Sequence, residues 1–159
     1  MAAPELVGRK RNSAATQANL LAAATAHFAR EGYDNASLRE IAADAGVDVA
    51  LISRYFGSKE ELFSQVLMAG PPPDEFYQGD PSDFGERVSR ILVDDPAETQ
   101  KLDILLIMLR SASSPAAAEA IQRLGEERFY GPFARWLGGP NAKERVRLAA
   151  SIIKGIAIA

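Results

Sequence analysis

The sequence holds no cysteine and a single histidine, His27. Disulfides, thiolate metal sites and cysteine nucleophiles are therefore excluded, as is a histidine-rich metal site. Alternation of apolar and polar residues, the mark of a half-buried strand, is missing throughout. No run approaches the ~18 consecutive apolar residues that a membrane span needs. The richest, Ile104 to Leu109, is bounded by Asp103 and Arg110. The opening MAAPELVGRKRN has no apolar stretch of the kind a secretory signal carries. An intracellular protein with no cofactor and no membrane contact is the expectation.

What is present is an ordinary soluble balance. The 159 residues are 47% apolar and 25% charged, which suits one domain or two small helical ones sharing a core. The net charge is −3, but it is unevenly spread. Residues 1–59 carry seven Lys/Arg against six Asp/Glu, and residues 60–159 carry eleven against fifteen. The N-terminal cations gather in Arg9-Lys10-Arg11, Arg54 and Lys59. Local placement matters more than the total for attracting a polyanion.

The periodicity predicts an all-α chain without internal repeats. Residues 1–12 read as a flexible basic arm. A first helix runs from about Ser13 to Glu31, with Leu20, Leu21, Ala24 and Phe28 on its buried face, and Gly32 stops it. Ser37 and Glu40 have the spacing of a capping box and open a second helix. It buries Leu38, Ile41, Ala42 and Ala45 and ends at Gly46. Asp48 is placed to cap a third helix, about Val49 to Phe56. Two short helices joined by a tight glycine turn describe a helix-turn-helix. Residues 13–57 thus form one candidate domain. A connecting helix over 58–70, capped by Ser58 and Glu61, carries Leu62, Phe63, Val66 and Leu67 inward.

Gly70-Pro71-Pro72-Pro73 cannot continue a helix and marks the best boundary between units. Residues 71–159 read as a second helical domain, with helices at about 82–94, 97–112, 115–137 and 142–159. Gly131-Pro132 should kink the third of these. The run Ile104 to Leu109 is apolar all round, which predicts a central helix. The last helix is still apolar where the sequence stops. That predicts either a chain shortened from a longer one or an end buried by another subunit.

No constellation argues for an enzyme. Asp94-Asp95, Glu60-Glu61 and Glu126-Glu127 are sequence neighbours, and neighbours on a helix point about 100° apart. His27 has no obvious carboxylate or serine partner in the sequence and reads as a core or interface histidine. The glycines form neither a P-loop nor a dinucleotide fingerprint. The stretch ASLREIAADAGVDVALISRYFGSKEELF, residues 36–63, is different. A helix-turn-helix can lay its second helix in the major groove of DNA. Lys59, in the first turn of the next helix, opposes the helix dipole, and a nearby phosphate would remove that conflict.

Residues 14–67 resemble the N-terminal domain of TetR-family (tetracycline-repressor-like) transcriptional regulators. Phe28, Glu31-Gly32-Tyr33, Ser37, Ile41-Ala42, Ala45-Gly46-Val47, Tyr55-Phe56, Lys59-Glu60 and Leu62 carry the likeness. The rest is similar only in style, as an all-helical ligand and dimerisation domain. The tail resembles the family's eighth helix, and the usual ninth does not follow in this sequence. The chain departs from the family's common residues at Asp48, Ala50 and Ser53, where serine, glycine and an aromatic are frequent. Those changes bear on base preference.

The resemblance implies a cytoplasmic, nucleoid-associated bacterial regulator, most simply a repressor. It would bind double-stranded DNA as a homodimer and leave a palindromic operator when a small apolar effector binds. Val49, Ala50, Leu51, Ser53 and Arg54 are the base-facing candidates, with Ile52 and Phe56 in the core. Arg9, Lys10, Arg11, Ser37, Arg39, Tyr55 and Lys59 are the phosphate candidates, and core packing is the competing role for Tyr55. Walls of a ligand pocket are sought in Phe76, Tyr77, Phe84, Met108, Phe129, Tyr130, Phe133 and Trp136, with Arg110 and Gln122 as polar groups. Plain core packing competes for each. Val146, Ala149, Ala150, Ile153, Ile156 and Ala157 form the expected dimer face. Two other readings stay open: a helix-turn-helix used for protein interaction, and a small-molecule-binding helical protein that does not bind DNA.

Overall fold

The computed structural model describes residues 4–70, 77–93 and 99–157, with side chains at 13–70, 77–90, 103–153 and 155. Every regular element among them is helical. In chain order they are α1 (Pro4–Asn35), α2 (Leu38–Asp44), α3 (Ala50–Phe56), α4 (Lys59–Ala69) and a 3-10 turn (Pro81–Asp83). Then follow α5 (Phe84–Val93), α6 (Thr99–Ser111), α7 (Pro115–Gly125), a π-turn (Glu126–Tyr130), α8 (Gly131–Leu137) and α9 (Ala142–Ala157).

The helix starts follow the caps. The Ser37 hydroxyl accepts from the Glu40 amide at 3.5 Å, and the Ser58 hydroxyl from the Glu61 amide at 3.1 Å. The Asp48 carboxylate accepts from the Ala50 amide at 2.7 Å, so it caps α3 although Val49 is the last residue before the helix. The turn after α2 closes with a paired set of bonds. Val47 N–H reaches the Ala42 carbonyl at 2.9 Å and Gly46 N–H the Ala43 carbonyl at 3.0 Å. This is the Schellman arrangement, and it requires Gly46 at positive φ, here 69°.

The start of the chain differs from the arm that its charge predicts. From Pro4 onward it continues α1. Proline suits a first helical turn, and apart from Gly8 nothing up to Asn12 disfavours a helix. At its other end α1 breaks at Gly32, as expected (φ 75°, ψ 175°).

The main core does not respect the proposed boundary at Gly70. One buried cluster joins Leu20, Phe28 and Tyr33 of α1, Ile41, Ile52, Phe56, Phe63 and Val66 of α2 to α4, Ile107 of α6 and Ala117 and Leu124 of α7. Gly70 itself is buried, and a Cβ there would lie 2.8 Å from Ile104 Cγ1. Its successors 71–73 lie outside the described residues. Helix α6 runs along α1 and buries Leu105 and Ile107, yet Leu109 is 42% exposed, so α6 is less enclosed than its apolar run predicts.

A kink was expected at Gly131-Pro132. The structure instead shifts the bonding register just before it. Pro132 has no N–H for the Arg128 carbonyl, four residues earlier. The helix widens into a π-turn there, with Gly131 N–H bonded to the Glu126 carbonyl. The Tyr77 hydroxyl donates to the stranded Arg128 carbonyl at 3.2 Å. Arg128 in turn donates to the Leu67 and Met68 carbonyls at 3.0 and 2.9 Å, satisfying the end of α4.

Gly32 should tolerate no side chain. It holds positive φ, and an added Cβ would sit 2.6 Å from the Arg110 carbonyl oxygen. Gly32→Ala should cost about 1–3 kcal/mol or more, seen as a thermal midpoint several degrees lower in calorimetry.

Candidate nucleic-acid interface

Helix α3 has two edges. Ile52 and Phe56 are buried in the main core. Val49, Ala50, Ser53 and Arg54 are exposed together on the other side. Leu51 departs from the expectation. It is half-buried and packs against the core cluster, because α3 is only two turns long and its first turn must also be anchored. Tyr55 is likewise half-buried on the core. Arg54 lies in the last turn, where its charge suits the helix dipole, and it pairs with no described residue.

The phosphate candidates divide. Arg39 is exposed on α2. Ser37 accepts a cap bond, leaving its O–H free to donate. The side chains of Arg9, Lys10 and Arg11 lie outside the described residues, as does Phe76. Lys59 is held rather than free. Its ammonium lies 4.8 Å from the centre of the Tyr33 ring and 3.4 Å from the Asp34 carbonyl. That contact aligns it across the gap between α1 and α4.

Tyr33 is a residue that periodicity misses. Its ring stacks on Phe28 and meets Phe63 edge-on within the core. Burial first, then Glu60, pushes the phenol well above its ordinary value. Glu60 moves the other way, held low by its own backbone N–H, then by Ser58 and Tyr33. The place of Tyr33 in the Glu31-Gly32-Tyr33 run and its position next to a helix-stopping glycine were the available hints.

His27 also corrects the sequence reading. It is buried and does have carboxylate partners, since Asp44 of α2 lies 2.7 Å from Nε2 and Glu31 lies 3.3 Å from Nδ1. The Asp44 partner is seventeen residues away, on a different helix, so local spacing could not reveal it.

The pocket candidates do not converge. Tyr77, Phe84, Phe129, Tyr130, Phe133 and Trp136 gather into one cluster, ring against ring, with centroids 5.2 to 6.4 Å apart. Met108 instead packs against the main core. Arg110 donates to the Ala29 and Arg30 carbonyls and closes the end of α1. Gln122 and Tyr130 line an open cleft of about 310 Å³ with Glu126, Arg147 and Ser151. The expected dimer face also needs correction. Val146 and Ala150 point into their own chain, Val146 against α8. Ala149 and Ile153 are half-buried, and among the described residues of α9 the exposed large apolar ones are Leu148 and Ile152. The side chains of Ile156 and Ala157 lie outside the described residues. Of the expected stripe, Val146 and Ala150 are buried within the chain itself.

Comparison with known proteins bears on this geometry. Residues 20–66 match the family described as bacterial regulatory proteins, tetR family, and residues 82–159 match a tetracyclin repressor-like C-terminal domain. The HTH-type transcriptional repressor SCO4008 of Streptomyces coelicolor is 46% identical over 57 residues, covering 36% of this chain and 30% of that protein. The HTH-type transcriptional dual regulator CecR of Shigella flexneri is 57% identical over 44 residues, 28% of this chain and 19% of that protein. The chain thus spans under a third of the curated relatives it matches. Among solved structures, a TetR-family regulator of Streptomyces coelicolor is 31% identical, with a TM-score of 0.50 over 91% of this chain and 78% of that one. NalD of Pseudomonas aeruginosa, the secondary repressor of the MexAB-OprM multidrug efflux pump, shares the fold. It is 21% identical, with a TM-score of 0.68 over 92% of this chain and 84% of that one. No helix among the described residues is long and apolar enough to cross a membrane.

The two edges of α3 should separate in mutagenesis. Ile52→Ala should destabilise by about 2–5 kcal/mol, whereas Ser53→Ala and Arg54→Ala should stay within about 0.5 kcal/mol, measured by denaturant unfolding.

Proposed function

The chain belongs to the tetR family of bacterial regulatory proteins, and we propose that it is a repressor that binds double-stranded DNA through α3. The observation that carries this reading is the exposed edge of Val49, Ala50, Ser53 and Arg54 on a helix pinned from behind by Ile52 and Phe56. A rigid two-turn helix held this way can enter the major groove. Arg54 and Ser53 can donate to base edges, and Val49 and Ala50 can meet a thymine methyl. Leu51 would contribute through its exposed part.

Arg39, Lys59, Ser37 and Tyr55 would contact phosphates, setting register without reading sequence. Lys59 is well prepared for this, because the Tyr33 ring already limits its freedom. Arg9, Lys10 and Arg11 would extend the contact along the backbone or into the minor groove. Repression is the activity named for SCO4008 and NalD.

Two copies would place their α3 helices one DNA turn apart, roughly 34 Å, on a palindromic site. The exposed Leu148 and Ile152 on α9 are the apolar surface offered to the second copy. A small apolar effector in the second half, next to the aromatic cluster, would favour a conformer with the wrong spacing and so release the DNA.

Selection of duplexes from a random pool by the full chain should enrich a palindrome with half-sites about ten base pairs apart. Affinity should fall steeply as salt rises. Arg54→Ala should relax choice at one position, by about 1–3 kcal/mol, whereas Lys59→Ala should weaken all sequences alike and lower the salt slope by about one. If the full chain enriches no site, the protein-interaction reading replaces this one.

A further inference from the structure

Where α1 meets α2, each helix offers a pair of ionisable residues four positions apart. His27 and Glu31 share one face of α1, and Glu40 and Asp44 share one face of α2. One ligand atom from each of His27, Glu31 and Glu40 lies within 4.8 Å of the others. The imidazole is 3% exposed and cannot turn away. The cluster holds three carboxylates around it and one nearby cation, Arg30.

Two further observations distinguish this group from an acidic patch. The first is the orientation of the ring. Nε2 lies 2.7 Å from Asp44 Oδ2, within hydrogen-bond distance of the carboxylate. The other nitrogen, Nδ1, faces Glu31 at 3.3 Å. A carboxylate holding the far nitrogen of an imidazole is the arrangement that orients histidine ligands at metal centres. The second is that a cationic group already fills the place. Arg30 Nη2 donates to His27 Nδ1 at 3.1 Å and also bonds Glu31. The Arg30 side chain is 61% exposed, so it can swing into water and leave that place to another cation.

We infer that His27, Glu31 and Glu40 form a binding site for a divalent first-row transition ion, with Asp44 as the residue that orients the imidazole. One nitrogen and two carboxylate oxygens suit Zn²⁺ and its neighbours, with water completing the shell. Mg²⁺ prefers oxygen ligands alone and is disfavoured by the imidazole. Binding at Nδ1 displaces Arg30, whose guanidinium occupies that place. The bound ion would tie α1 to α2.

The test is calorimetric titration of the untagged full chain with Zn²⁺, and with Mg²⁺ as the counter-probe. The chain has no cysteine and no second histidine, so a Zn²⁺ signal has few other places to arise. One Zn²⁺ should bind per chain, and Mg²⁺ far more weakly. Glu40→Gln, at an exposed position that leaves the fold intact, should weaken Zn²⁺ by about tenfold or more, and His27→Gln likewise. Arg30→Ala should tighten it, because the competing cation is gone. Absence of Zn²⁺ binding at millimolar concentration would overturn the site. So would equal Mg²⁺ binding, an affinity unmoved by Glu40→Gln, or an Arg30→Ala chain that binds no tighter. None of these readouts involves DNA, so the outcome is separate from that of the operator selection.

Discussion

The fold depends on the grip that the end of α6 has on the end of α1. Gly32 lets the two backbones approach so closely that a Cβ would strike the Arg110 carbonyl. Arg110 then closes the last carbonyls of α1, Ser111 accepts from the Tyr33 amide at 3.0 Å, and Ser114 donates to Asp34 at 2.8 Å. A helix end buried without such partners would leave costly unpaired groups. With these partners in place, α1 to α4 share one core with α6 and α7.

From that anchor the exposed edge of α3 follows. Tyr33 sits between the α6 grip and the start of α4. Its amide is held by Ser111 and its ring lies under Lys59. Tyr33 and Ser111 thus hold the start of α4 from behind. Arg128 adds a second tie, from the π-turn to the end of α4. The proline at the start of α8 thus lies four positions after the residue that ties the π-turn to α4.

Local chemistry was legible in the sequence, and long-range chemistry was not. Ser37, Ser58, Asp48 and Gly46 announce their roles because a cap or turn depends on neighbours within a few positions. Ile52 and Phe56 were readable from helical period. Leu51 was not, since a two-turn helix needs more anchoring than its period alone requires. Val146 and Ala150 were assigned to a partner because an apolar stripe does not state which surface covers it. The His27–Asp44 contact and the bond from Tyr77 to Arg128 join residues far apart in sequence, and no spacing rule reaches that far. The aromatic residues of the second half were found, but composition cannot tell rings packed on one another from rings around a ligand.

The chain has one tryptophan, and its surroundings are specific. The Trp136 indole donates to the Gly79 carbonyl at 2.8 Å and lies beneath the Arg87 guanidinium. Its emission therefore reports on whether the short stretch before α5 is seated on α8, with no engineered label needed. An optical change on adding a compound would locate that compound's influence at this end of the molecule. Silence there would leave the α3 end as the place to look.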